Sequence, residues 1–252
     1  MNSFILKIKR GETPFFRALR RMAKAILSPS APRLPGWLKP PFRAIYEFYF
    51  LLMGLWNNFL NLVWRQFLFQ ARCASFGKGV VVDRLPFVSG HVEIHIGDHV
   101  WIGGHLNVSS ARILDRPVLI LRDHAEISWN VSIAVNKEVI IEEYARVSYD
   151  CRISDSDGHP READLRAQNQ PVRLRDIRPV RIGKYAWIGN GTHIMKGVTI
   201  GEGAVIGANS VVISDIPPYC LAMGNPAEVL LRNFGRPSKK KPGETAPEES
   251  HI

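Results

Sequence analysis

Cysteine is scarce in this sequence. Cys73, Cys151 and Cys220 are odd in number and far apart, which excludes a disulfide framework or a Cys-x-x-Cys metal pair and fits a reducing compartment. A long hydrophobic run is missing too: the uncharged stretch from Phe48 to Trp64 is 17 residues with three Asn inside it, short of the roughly 20 apolar residues that cross a bilayer. Basic residues scatter through the N-terminus with no short apolar core before a small-residue cleavage site, so no secretory signal is read there. The body also lacks a charge excess. Of the net +10, residues 1–43 carry +9, from ten Lys and Arg against the single acid Glu12. The near-neutral remainder excludes a basic groove tracking nucleic-acid phosphates, so no nucleic-acid partner is expected.

What is present is a repeat. From Val180 the chain writes itself in sixes, VRIGKY, AWIGNG, THIMKG, VTIGEG, AVIGAN and SVVISD, with Ile182, Ile188, Ile194, Ile200, Ile206 and Val212 at every sixth position. Small or β-branched residues (Val180, Ala186, Thr192, Val198, Ala204, Ser210) stand two places earlier. Residues two apart on a strand share a face, so both rows point inward. The Gly that follows the aliphatic in four of the six units permits a sharp corner. Three such edges close a triangle, and stacked triangles bury their rows on one another. A weaker frame runs earlier through Ile96, Ile102, Val108, Leu114 and Ile120, then Ile127 and Ile133, then Ile141, Val147 and Ile153. Between Ile153 and Ile182 the repeat is interrupted by a polar, Arg-rich stretch containing Ser-Asp-Ser-Asp-Gly-His-Pro at 154–160. A loop thrown out of a rigid coil is a natural seat for function.

The fold class is therefore mainly β, a parallel β-helix of hexapeptide repeats over 92–213 in its clearest part. The chain divides into a basic arm (1–41), a hydrophobic helical region (42–75), the coil (76–216) with an inserted loop (154–179), a closing segment (217–234) and a solvated tail (235–252). Ala227 to Phe234 is expected to form a short closing helix. In residues 42–70 a thin stripe of Arg43, Glu47, Gly54, Asn57, Asn58, Asn61 and Arg65 runs through otherwise apolar sequence. Such a helix either lies in a membrane interface behind its basic arm or caps the first coil, and both roles stay open.

The run AWIGNGTHIMKGVTIGEGAVIGANSVVISDIPPYCLAMGNPAEV at 186–229, with its closing PPY and GNPA elements, resembles the hexapeptide-repeat acetyltransferases, among them the maltose, galactoside and serine enzymes and O-acetyltransferases of surface polysaccharides. The resemblance implies left-handed winding, a homotrimer with clefts between subunits, and transfer of an acyl group from acetyl-CoA to a hydroxyl or amine. It places the catalytic imidazole at His159, which would take the acceptor's proton as oxygen attacks the thioester, with Asp155 or Asp157 as the carboxylate orienting the ring. Coenzyme contacts carry over to Trp187, Asn190 and Ala208. Two basic or polar positions of the family are replaced here by Ile213-Ser214 and Glu228, so Lys196 or Arg232 would have to meet the coenzyme's phosphates.

The expected activity is acyl-CoA-dependent O-acetylation of a sugar hydroxyl in surface polysaccharide or lipopolysaccharide synthesis. The acceptor is a sugar or lipid-linked glycan, and residues 1–70 meet the membrane surface on the cytoplasmic face of the inner membrane. A soluble acetyltransferase acting on serine or a sugar nucleotide is the alternative within the class. Outside it stand a non-catalytic scaffold and a zinc enzyme of the γ-carbonic-anhydrase type. His91, His95, His99 and His105 suggest the latter, but His99 and His105 fall on successive corners, too far apart to share an ion, so no metal is expected.

Overall fold

The computed structural model describes residues 6–7, 10–11, 13–27 and 33–236. The expected tail at 235–252 lies outside the described residues except for its first two positions, as does much of the start of the basic arm. Two compact units divide at Gly54.

The first unit holds helix α1 (Pro14–Leu27), a 3-10 turn (Gly36–Leu38) and most of helix α2 (Lys39–Leu60). Pro at the first position suits α1, because its missing N–H would have no helical partner there. No residue of α2 is buried.

The second unit is the coil. Its strands form three sheets, and the chain visits the first, second and third face in turn before rising to the next level. Neighbouring strands are parallel throughout the coil. On the first face Ile96, Leu121, Ile141, Ile182 and Ile200 stack in register. The second face stacks Val82, Ile102, Ile127, Val147, Ile188 and Ile206, and the third stacks Val108, Ile133, Ile153, Ile194 and Val212. All are buried. The six-residue period thus becomes the core of the coil, each row laid on the one below at the spacing of a β-ladder.

Every departure from the period falls at one corner, where the third face hands over to the first. The chain leaves there at 110–117 and again, at much greater length, between Ser154 and Val180. Polar side chains tie these corners vertically. The buried carboxylate of Asp155 accepts the backbone N–H groups of Asn136, Lys137 and Glu138 at 2.6–3.0 Å, and Asn136 Oδ1 accepts the N–H of Ala111 at 3.0 Å.

Two expectations are corrected. Leu114 and Ile120 do not continue the inward row: Leu119 and Leu121 are buried, whereas Ile120 faces outward between His95 and Ile140. The excursion at 110–117 resets the alternation by one residue, which exchanges the two faces of the strand. The closing helix is also absent. Cys220–Gly224 extends the second face, and Ala227–Arg232 folds back antiparallel to it. Six residues nucleate a helix poorly, while the open edge of the sheet offers unpaired backbone groups, and pairing there also buries Ala227 and packs Val229 on the core.

The corner between the first and second faces carries a stack of rings. His99, His124, Tyr144 and Tyr185 all adopt the left-handed conformation (φ 55–58°) and lie ring on ring, with centroids 5.0, 4.6 and 5.1 Å apart. The rise of one coil nearly equals an aromatic stacking distance, and these contacts offset the cost of the backbone strain. Gly203 takes the next rung because a Cβ there would come within 2.5 Å of the Tyr219 ring lying over it.

The helical segment of the second unit meets the coil through its polar side. A π segment (Asn61–Arg65) holds Asn57, Asn61 and Arg65 on one side; Asn61 Nδ2 donates to the carbonyl of Asp83 at 3.1 Å, and Arg65 donates to Asn57 and Asn61. Helix α3 (Gln66–Arg72) then inserts Phe69 against Phe76 at the base of the core. The segment is held on the coil by Phe69, by this polar row and by Arg72, which donates to the carbonyls of Val92 and Gly90 at 3.0 and 3.1 Å.

The phase correction has a measurable consequence. Leu121→Ala is expected to cost about 2–5 kcal/mol by urea denaturation, the usual range for a core Leu. Ile120→Ala should cost less than half as much, whereas an inward Ile120 would reverse the order.

Candidate active site

The long excursion is pinned rather than loose. Val172 and Ile177 are buried beneath it, Glu162 pairs with Arg173 at 2.6 Å, and the N–H of Arg178 donates to the carbonyl of Asp155 at 2.9 Å. A short helix α4 (Ala163–Ala167) lies within it. Its first turn is built from Ser154 and Ser156: Ser154 Oγ donates to the Ser156 carbonyl at 2.5 Å, and Ser156 Oγ accepts the N–H of Gly158 at 3.0 Å. Gly158, at φ 76°, then turns the chain so that His159 is exposed while Pro160 is buried. An imidazole held between a left-handed glycine and an anchored proline is displayed to solvent on a fixed stem.

Neither proposed orienting carboxylate is directed at that ring. Asp155 spends its oxygens on the three backbone N–H groups of the level below; burial pushes its pKa up, opposed by those same hydrogen bonds. Its role is to hold the corner. Asp157 accepts from Lys196 Nζ at 2.5 Å and lies 3.6 Å from Arg161. Among the described residues no hydrogen bond to His159 is present.

Lys196 is engaged within the fold. It is buried and paired with Asp157, which ties the start of the loop to the coil that follows it. A buried ammonium already matched to a carboxylate is not free to meet a phosphate. Its sequence position, between Ile194 and Gly197, did not reveal this, because the partner lies 39 residues away.

Trp187 lies on the second face, and Asn190 and Ala208 lie at the corner that follows it. The exposed Trp187 indole stands on the outer side of the second face and donates Nε1–H to Ser148 Oγ at 3.1 Å. Asn190 and Ala208 are exposed at the next corner on successive levels, joined by the Asn209 N–H to the Asn190 carbonyl at 2.8 Å. Arg232 is exposed at the end of the returning strand, opposite Cys220. His159 projects from a different corner of the triangle.

Sequence reasoning missed a groove of about 500 Å³ along the ring stack, where Trp101, Glu126 and Arg146 form the wall below Trp187 on the same outward column. Glu126 and Arg146 pair there at 3.1 Å. Positions just after a corner alternate too irregularly in type for periodicity to mark them.

Two thiols are poor nucleophiles: burial pushes that of Cys151 up to about 11, and partial burial pushes that of Cys73 up to about 12. The histidines considered for zinc diverge. His95 contacts Glu93, His99 stacks on His124, and His105 lies 2.9 Å from Arg84.

Comparison with known proteins adds the following. The profile described as bacterial transferase hexapeptide (six repeats) matches residues 179–214. Galactoside O-acetyltransferase of Escherichia coli is 30% identical over 166 residues, covering 66% of this chain and 67% of that protein. Staphylococcus aureus proteins provisionally designated acetyltransferases are 54% or 56% identical over 54 residues, a match that spans 21% of this chain and 27% of theirs. Among solved structures, AntD, an N-acyltransferase from Bacillus cereus in complex with dTDP and 3-hydroxybutyryl-CoA, has a TM-score of 0.55 at 19% identity, covering 68% of this chain and 88% of that one. This likeness is one of fold, and it is consistent with left-handed winding.

Removing the loop's anchor should loosen the stem of His159. Lys196→Met is expected to raise the rate of tryptic cleavage within 155–179 by about 5–30-fold, the opening that a loss of one or two kcal/mol allows. The circular dichroism of the coil should stay unchanged; an unaltered cleavage rate would show that the pair does not anchor the loop.

Proposed function

The chain belongs to the hexapeptide-repeat acetyltransferases, and from that membership we propose that it is an acyl-CoA-dependent O-acyltransferase, transferring acetyl to a sugar hydroxyl during synthesis of surface polysaccharide or lipopolysaccharide. The observation that carries this reading is an exposed imidazole, His159, on an excursion from a coil whose last levels leave Trp187, Asn190 and Ala208 exposed. Galactoside O-acetyltransferase, by its name, acts on a sugar hydroxyl, which supports oxygen as the acceptor atom.

In the proposed reaction His159 accepts the hydroxyl proton as the acceptor oxygen attacks the thioester carbon. The tetrahedral intermediate collapses with cleavage of the C–S bond, and the imidazolium returns its proton to the departing thiolate. Imidazole suits both halves because the same ring nitrogen can accept a proton and then give it back. No thiol of the chain is required as an intermediate carrier, in keeping with the raised pKa values of Cys73 and Cys151. Exposed Trp187 offers an aromatic face to the coenzyme, and Arg232, unlike Lys196, is open to a phosphate.

His159 and the Trp187 group stand at different corners of the triangle. We therefore assign the complete site to the cleft between two copies in a homotrimer, one supplying the imidazole and its neighbour the coenzyme surface.

His159→Ala should lower kcat by about 10²–10⁴-fold with the melting temperature unchanged. Coexpressing His159→Ala with Trp187→Ala at equal levels should restore about a quarter of wild-type activity, since random mixing leaves one cleft in four with both residues intact. No recovery, with trimers formed normally, would place both residues in one subunit's site. Coenzyme A release should be tested with lipid-linked glycan, free sugar, sugar nucleotide and serine. Release only with serine or only with a sugar nucleotide would move the assignment to the soluble alternative.

A further inference from the structure

An amphipathic helix docked on a protein normally turns its apolar stripe toward the core. The helical segment of the second unit does the reverse. Asn57, Asn61 and Arg65 face the coil and bond to one another and to the Asp83 carbonyl. Trp56, Phe59, Leu62, Trp64 and Phe67 are left outward, between 52% and 72% exposed. Phe69 is the apolar residue of the segment that enters the core. Over Leu55 to Trp64 the polar residues are Asn57, Asn58 and Asn61, and two of these are consumed on the inner side.

That composition points to lipid rather than protein. A protein interface carries about one hydrogen bond per 100–200 Å² and a polar rim, and this surface offers almost nothing to bond with. Trp and Tyr are also the side chains that settle at the headgroup level of a bilayer. No helix among the described residues is long and apolar enough to cross a membrane, which leaves lying in its surface as the bilayer geometry.

The first unit, taken by itself, adds charge complementarity. In α1, Arg17, Arg20, Arg21 and Lys24 are exposed, as are Phe15 and Met22. From Thr13 to Tyr46 the sequence holds no acidic residue. Basic residues on a helix that also exposes apolar side chains favour anionic headgroups.

We propose that the outward apolar side of residues 55–68 lies in the interface of a lipid bilayer, and that α1 supplies a preference for anionic lipid. The polar row is what makes this possible, since it attaches the helix to the coil without using the apolar surface. Membrane docking of this kind is independent of acyl transfer, and binding alone tests it.

The full chain should be sedimented with vesicles of phosphatidylcholine alone and of equal parts phosphatidylcholine and phosphatidylglycerol, with tryptophan emission followed in parallel. Binding to the mixed vesicles with a blue shift is expected. Changing Trp56, Phe59, Trp64 and Phe67 to Gln should weaken it at least tenfold while leaving the thermal melt of the coil in place. Changing Arg17, Arg20, Arg21 and Lys24 to Gln should remove the preference for phosphatidylglycerol and spare residual binding to phosphatidylcholine. The proposal is overturned if the wild-type chain stays in the supernatant with both vesicles, or if the aromatic variant binds as wild type does. It is also overturned if the wild-type chain self-associates without lipid through the same four residues and ignores vesicles, because a second copy would then be the occupant.

Discussion

The structure depends on stacking. Each level of the coil is stable only because its inward aliphatic row lies on the row beneath at the fixed spacing of a parallel ladder, with Ile182 on Ile141 and Ile200 on Ile182. Such a constraint tolerates no irregular residue on a face. Extra chain must leave at a corner, and here it leaves where the third face meets the first. Asp155 and Asn136 are the consequence: each uses a side chain to satisfy backbone N–H groups that the excursions withdraw from the ladder. The seat of His159 thus follows from the same rule that orders the core.

The period of six was legible because a buried row at every sixth place leaves a chemical mark, and Ile182 through Val212 occupy the interior as their spacing requires. The earlier levels were less legible. A run of Val118, Leu119, Ile120 and Leu121 is apolar at both parities, so composition could not say which residues face inward, and the length of the preceding excursion decided it. The closing hairpin was hidden for another reason. Ala227 to Arg232 is rich in helix formers, and its strand conformation is set instead by the open edge it covers.

At the candidate site the sequence identified residue types but not partners. Asp155, Asp157 and His159 are close along the chain, yet the first turns down into the corner, the second toward Lys196 and the third outward. Three different demands act within five residues: satisfying buried N–H groups, anchoring a loop, and presenting an imidazole. Lys196 belongs with the anchor, its charge already matched by Asp157. The polar row of Asn57, Asn61 and Arg65 was visible as a stripe, but its direction was not, and that direction reverses the usual meaning of amphipathicity.

The central claim about function is direct transfer between two bound substrates, with imidazole moving the proton. Initial-rate kinetics with acetyl-CoA and acceptor both varied, combined with the intact mass of the protein after exposure to acetyl-CoA alone, tests it most directly. Intersecting double-reciprocal lines and an unchanged protein mass are expected. Parallel lines together with an acetylated side chain that turns over would contradict the account.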